Sequence, residues 1–333
     1  MVPSRQLKTK IRAVGNIQQI TKAMELVSAT KMRKSQEVAL RARPYAKKAF
    51  SLLTHILEHT STEGLVGRLW QAKAGTVPAS GVVSTEERER IALVVVTSDK
   101  GLCGNFNSAV LKAAMKWKEE QESPPAGGGK SVEVVAVGRK GRDFFRSRGV
   151  EATKEFFQFS DIITLADIAP LADWILEVYE KEEFDRVVFC STRFISVLSQ
   201  KPNVQQILPL EREELEKIVE GIVPKSGRYS DWLVGHSLGE ERVAGDIPYV
   251  LEPSAQIILE ELVRELVRVA IVHLVFESNA SEHSARMMAM KNATDNAEEL
   301  IENLNLALNK SRQAAITQEL SEISTAKEAL TSE

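Results

Sequence analysis

Cysteine is nearly absent: Cys103 and Cys190 are the only two in 333 residues. Two thiols cannot build a disulfide framework or an all-cysteine metal site, and they fit a reducing compartment. No apolar run approaches the ~20 residues of a membrane helix. The longest, Val269 to Phe276, is interrupted by His273. The amino terminus, Met-Val-Pro-Ser-Arg, is polar and basic and has no apolar signal core. Glycine (18) and proline (11) are too sparse for a collagen-like or low-complexity chain. Aromatic residues make up only 6%. The charge is close to balanced, 43 Lys plus Arg against 46 Asp plus Glu, which excludes a surface built throughout for nucleic acid.

Catalytic signatures are missing as well. There is no Gly-x-x-x-x-Gly-Lys-Ser/Thr loop, and GGGK (127–130) follows two prolines rather than a strand. SDKGLCGNFN (98–107) and GRKGRD (138–143) each follow a strand-like run and open a helix, but each lacks the third glycine of a dinucleotide fingerprint. Both read as tight strand-to-helix turns. His236 lies in GHSLGEE without a Gly-x-Ser-x-Gly elbow. The pairs Glu240–Glu241 and Glu298–Glu299 are sequence neighbours that do not face each other on a helix. Cys103 in GLCG reads as structural. The reading is of a chain without a catalytic centre, cofactor site or metal site.

What is present is a strong asymmetry. Met1 to Lys48 holds twelve basic and two acidic residues, and Ser281 to Glu333 holds five basic and nine acidic. Lys8, Lys10, Arg12, Lys22, Lys31, Arg33 and Lys34 lack the interleaved aromatics of a nucleic-acid stripe, so the basic arm suits an acidic protein surface. Nothing after Pro253 is glycine or proline. Leu259, Leu262, Leu266, Val269, His273, Phe276, Ala280, His283, Met287, Met290, Thr294, Ala297, Ile301, Leu304 and Leu308 step by three and four, a sustained heptad seam. A helix over this arm would be ~120 Å long. The first arm matches it with Leu7, Ile11, Val14, Ile17, Ile20, Met24 and Val27, then Val38, Ala42, Tyr45, Ala49, Leu52 and Ile56. Gly15 and Pro44 are its weak points, and Pro44 should remove one backbone hydrogen bond. His273 and His283 read as seam residues rather than metal ligands. Two long helices at opposite chain ends predict an antiparallel coiled coil.

Between the arms the pattern becomes α/β. Ile91–Thr97, Val132–Val137, Glu151–Phe157 and Arg186–Thr192 read as strands, alternating with helices near Asn107–Glu120, Arg139–Arg148 and Asp167–Lys181. The expected fold is thus α/β plus a long antiparallel coiled coil, with a central Rossmann-like, mostly parallel sheet. The expected organisation is a coiled-coil helix over 1–60, a connector over 61–90, an α/β domain over 91–210, a connector or insertion over 211–252, and a second coiled-coil helix over 253–333.

Three separated blocks carry a resemblance. ITKAMELVSATKMRKSQ (20–36) with ARPYA (42–46) is similar to the amino-terminal helix of the gamma subunit of F-type ATP synthases. LVVVTSDKGLCGNFN (93–107) looks like that family's first strand and turn, and the run from Ser281 to Ile323 resembles its carboxy-terminal helix. Ile316, Thr317, Glu319 and Glu322 match the family signature, whereas Ala326 and Lys327 stand where Gly-Ala is usual. The closely spaced cysteine pair of the chloroplast form is lacking, so no thiol switch is expected.

The resemblance implies a non-catalytic subunit, one copy per complex. It would be the central rotor shaft that transmits torque between a membrane c ring and catalytic beta subunits during proton-driven ATP synthesis. It implies as partners the alpha and beta subunits as a hexamer, the epsilon subunit and the c-subunit ring. It also implies a peripheral place on the cytoplasmic face of the bacterial inner membrane. By position, Arg312, Gln313 and Thr317 match residues that contact the hexamer, as do Met24, Lys22, Lys31, Arg286 and Lys291 at the neck. Tyr249 and Glu252 match the foot on the c ring. The alternative from another class is an α/β nucleotide-dependent enzyme with coiled-coil oligomerisation arms.

Overall fold

The structure is a computed structural model and describes residues 4–59, 69–71, 89–123, 130–159, 163–211, 252 and 254–331. Most of the two expected connectors, with Tyr249 and His236, lies outside the described residues. The elements run α1 (Ser4–His59), β1 (Trp70–Gln71), β2 (Arg90–Val96), α2 (Phe106–Glu122), β3 (Ser131–Val137), α3 (Arg139–Ser147), β4 (Ala152–Phe156), α4 (Leu165–Glu180), β5 (Arg186–Ser196), β6 (Ser199–Leu208), β7 (Leu210–Glu211) and α5 (Ala255–Thr331). Contacts divide the chain into two compact units, Met1–Ala29 with Arg286–Glu333, and Thr30–Ala285.

The second unit is built on a five-stranded sheet of order β4-β3-β2-β5-β6. The first four strands are parallel, and β6 is antiparallel to β5. The continuous apolar run of β2 has the physical reason expected of a parallel strand, because both its faces are covered. Ile91, Leu93 and Val95 point to one side, where they pack with Val110, Leu111 and Ala114 of α2 and Phe145 of α3. Ala92, Val94 and Val96 point to the other, where α4 supplies Ile168, Leu171 and Ile175. That second layer also takes Ala49, Leu53 and Ile56 of α1 and Leu259 to Phe276 of α5. Each large apolar side chain removed from water there contributes roughly 1.5–3 kcal/mol.

Three of the expected strands are found within a residue or two, and so are the three helices between them. The fourth, Arg186–Thr192, begins where expected but runs on to Ser196. Its hairpin partner β6 was not anticipated. SQKPNVQQIL carries lysine, proline and four amides, which is edge-strand chemistry and gives no alternating apolar signal. Proline at 202 is tolerated because β6 is the outermost strand. Trp70–Gln71, inside the segment expected to be a connector, pairs in parallel with Leu210–Glu211, and Leu69 beside it is fully buried. Helix α1 continues through both Gly15 and Pro44.

Every position of the expected α5 seam from Leu259 to Leu308 is buried or half-buried. The α1 stripe needs a correction. Within the first unit Ile17, Ile20 and Val27 are 53%, 59% and 51% exposed. The buried α1 positions there are Leu7, Thr21 and Ser28, on a seven-residue step that Ser35 continues in the second unit. Small hydroxyl side chains let a facing backbone approach more closely than branched isoleucine would, and interaxial distance follows the side chains at the contact.

Candidate functional site

Two places hold residues singled out by the sequence: the turns at the carboxyl ends of β2 and β3, and the surfaces of α1 and α5.

In the turn after β2, Asn107 acts as a buckle. Its Oδ1 accepts from Ser98 N (3.0 Å), and its Nδ2 donates to Ser98 Oγ (2.7 Å) and Cys103 Sγ (3.1 Å). Leu102 and Gly104 adopt left-handed φ of 64° and 58° to close the loop. After β3, Gly138 has φ of 92°, and Gly141 N donates to Thr97 Oγ1 (2.8 Å). The Asp99 carboxylate accepts from Arg139 N (2.9 Å) and Gln158 N (3.0 Å), so it joins the turns that follow β2, β3 and β4. A phosphate cradle needs free amides at a helix start. Here the amino terminus of α3 already receives a carboxylate, and its amides are spent inside the fold. Both glycine motifs are tight turns.

Two buried groups lie beside β5. Glu277 Oε1 accepts from Phe194 N (3.1 Å), and burial pushes its carboxyl up to about 7. His273 is buried, and desolvation together with Arg193 pushes it down to about 4. Their 4.0 Å contact is therefore not an ion pair at neutral pH. His273 Nδ1, Ser278 Oγ and Thr192 Oγ1 have no hydrogen-bond partner among the described residues. Both seam histidines, His273 and His283, are buried rather than solvated.

On the helix surfaces, Lys22 pairs with Glu25 at 3.0 Å, and Met24 is half-buried with its carbonyl accepting from Ser28 Oγ (2.7 Å). Lys31 is half-buried, Arg286 buried and Lys291 exposed. Arg312, Gln313 and Thr317 are exposed, and Thr317 Oγ1 donates to the Gln313 carbonyl (3.0 Å), placing these two one turn apart. Glu252 is exposed, and Tyr249 falls outside the described residues. The sequence reading missed the contact that ties the helices here. Thr21 Oγ1 lies 2.8 Å from Thr294 Oγ1, one turn from Met24 on α1 and from Lys291 on α5. In the second unit Ser35 Oγ donates to Asn279 Oδ1 (2.6 Å). The seven-residue spacing of Thr21, Ser28 and Ser35 was the signal available for it. Beside these polar contacts the first unit leaves Leu300, Leu306, Ile316, Leu320 and Ile323 of α5 exposed.

A family model described as ATP synthase matches residues 4–330. An ATP synthase gamma chain of Pelotomaculum thermopropionicum is 37% identical over 96% of each chain, and one of Chloroflexus aurantiacus is 36% identical over the whole of both. Among solved structures, a chain of the Euglena gracilis mitochondrial ATP synthase (OSCP, F1 and c ring) has a similar fold, with TM-score 0.60 at 20% identity. The likeness covers 98% of this chain and 94% of that one. A chain of the rotor of the same enzyme gives TM-score 0.54 at 19% identity, covering 94% and 98%. With its mixed, mostly parallel sheet set between long terminal helices and these full-length relatives, the chain belongs to the ATP synthase gamma chain family.

Proposed function

We propose that this chain is the central rotor shaft of an F-type ATP synthase, coupling rotation of a membrane c ring to the catalytic beta subunits. It has no catalytic centre of its own. The observation that carries the reading is α5. It is a 77-residue helix without glycine or proline, and its last third exposes Leu306, Ile316, Leu320 and Ile323 alongside Arg312, Gln313 and Thr317. Apolar side chains in that density on a helix surface mark a face made for a partner. The partner is a sleeve of alpha and beta subunits, and the epsilon subunit and c ring hold the other end.

Torque needs a stiff shaft, and α1 and α5 supply it as an antiparallel coiled coil. A helix-to-helix hydrogen bond within each unit supports the pairing of α1 with α5: Thr21 with Thr294 in the first and Ser35 with Asn279 in the second. The sheet unit is the Rossmann-like body, and the boundaries 1–60, 91–210 and 253–333 separate shaft from body. Coupling is differential binding: each face of the shaft favours one beta conformation over another. Met24, Lys22, Lys31, Arg286 and Lys291 form the neck against the hexamer, Arg312, Gln313 and Thr317 its upper contact, and Tyr249 and Glu252 the foot. No described helix is long and apolar enough to cross a membrane. The place of the shaft is peripheral, on the cytoplasmic face of the inner membrane, held there by the c ring.

The test is ATP hydrolysis by alpha and beta subunits reconstituted with and without the chain. A stoichiometric rise supports the shaft. Its loss in Arg312→Ala/Gln313→Ala supports the upper contact, and a rise that survives the double substitution removes those two residues while keeping the shaft. Failure to assemble, with no change in activity, sinks the reading.

A further inference from the structure

Helix α3 is short, nine residues or ~14 Å, and it carries a charge the rotor reading does not use. Between Arg139 and Arg148 stand Arg139, Lys140, Arg142, Arg146 and Arg148 against the single acid Asp143. Arg142 is neutralised by Asp143 at 2.8 Å. Arg139, Lys140, Arg146 and Arg148 are exposed and have no ion pair among the described residues. Four cations without an ion pair among the described residues, on three turns, repel one another, which is an arrangement that a partner's negative charge relieves.

The guanidinium groups are also held in place. Arg142 and Arg139 lie 5.1 Å and 6.0 Å from the Phe157 ring centroid, and Arg148 lies 3.6 Å from that of Phe144. Phe157 is itself 39% exposed. The base under this cluster is fixed, because Phe145 is fully buried and Asp99 ties the start of α3 to the turn after β4. Stacking restricts the guanidinium planes of Arg139 and Arg148 before any partner arrives, and neither has an ion pair among the described residues, the geometry that accepts a carboxylate through two hydrogen bonds.

We propose that the face of α3 bearing Arg139, Lys140, Arg146 and Arg148, flanked by Phe157, is a docking surface for an acidic segment of a partner protein. Single-stranded nucleic acid fits less well, since base stacking needs open ring faces and arginines already cover those of Phe144 and Phe157. A lipid surface fits less well because guanidinium groups already cover Phe144 and Phe157, leaving exposed Leu102 on the neighbouring turn as a shallow point of insertion. This proposal does not depend on the rotor reading, since the bound segment is detected on the chain alone.

The experiment is amide hydrogen exchange of the full chain with an oligoglutamate peptide at low salt. The basic stretch before Lys48 should attract such a peptide as well, and peptide-level exchange separates the two regions. Protection over Arg139–Arg148 that fades as salt is added is the expected result. Lys140→Gln/Arg146→Gln touches no ring and should weaken that protection several-fold without affecting the fold. Adding Arg139→Gln and Arg148→Gln should weaken it about tenfold, leaving protection before Lys48 unchanged. Protection confined to the first 48 residues, or protection of α3 that survives the fourfold substitution, overturns the proposal. So does stronger protection of α3 by phosphatidylglycerol vesicles or an oligothymidylate than by the peptide. ATP hydrolysis in the reconstituted hexamer should be the same for the fourfold variant and the parent, which keeps failure of this surface distinct from failure of the shaft.

Discussion

Gly138 shows how narrowly a single position is specified. Its φ of 92° is strained for any side chain, and an added Cβ would sit 2.2 Å from the Thr97 carbonyl oxygen. Gly149 has a similar φ of 72°, but a Cβ there meets nothing within 4 Å. Gly138→Ala should therefore cost about 2–4 kcal/mol and Gly149→Ala about 1 kcal/mol, read as shifts of the urea midpoint. Equal shifts would mean that the approach to Thr97 is not constrained. The second prediction concerns Glu277. Its carboxyl is raised from 4.5 to about 7, so the folded chain holds a proton that the unfolded chain has released. Stability is lost as the pH rises through that interval. His273, lowered from 6.5 to about 4, has the opposite slope and loses stability as the pH falls. Glu277→Gln keeps an oxygen for Phe194 N and removes the alkaline loss. It should gain about 1–3 kcal/mol over the parent at pH 8 and much less at pH 5. A gain of the same size at both values would show that the carboxyl is already ionised at pH 5.

Among the elements, the helix pair carries its information in small polar residues. Thr21 Oγ1 also donates to the Gln18 carbonyl (3.0 Å), and Thr294 Oγ1 to the Met290 carbonyl (2.9 Å). Two hydroxyl protons cannot make these two bonds and the 2.8 Å contact between them at once. One acceptor is always short, so Thr21→Val/Thr294→Val should be neutral or stabilise by about 1 kcal/mol. Single substitutions should each cost more than the double, and a double-mutant cycle in thermal unfolding reads the coupling directly. The same region explains what was legible in the sequence. The α5 seam could be read at every step because the periodicity of three and four survives its histidines and threonine. The α1 stripe could not, because Ile17, Ile20 and Val27 look like a core while Thr21 and Ser28 occupy it. Apolarity marks surfaces that will be covered, by this chain or by another, and periodicity alone does not say which. Strands β2, β3 and β5 announced themselves through β-branched runs, whereas the two edge strands, β4 (ATKEF) and β6, carry charged or amide residues, and β6 gave no signal at all.

Taken whole, the chain divides its stability unevenly. The Thr30–Ala285 unit encloses both apolar layers of the sheet, whereas the Met1–Ala29 and Arg286–Glu333 unit leaves branched side chains of both helices in water. Amides of residues 300–320 should exchange much faster than those of β2 and β3 in the free chain, and should slow on assembly with alpha and beta subunits. Protection there that is equal with and without the hexamer would count against the proposed sleeve. The proposed neck and upper-contact residues, such as Lys22 and Arg312, rest on the resemblance alone, because an exposed lysine or arginine carries no local mark of its partner. The α3 patch, by contrast, stood in the sequence as RKGRDFFRSR, though only the stacked rings give it a direction. Cys103 is buried under the Asn107 amide, and Cys190 is fully buried with its thiol raised by that burial to about 12, so neither sulfur is open to a maleimide at neutral pH. A cysteine placed at Arg146, exposed on α3, would then be the one reactive handle on the unaltered background, ready for a fluorophore or a bead by which rotation could be watched.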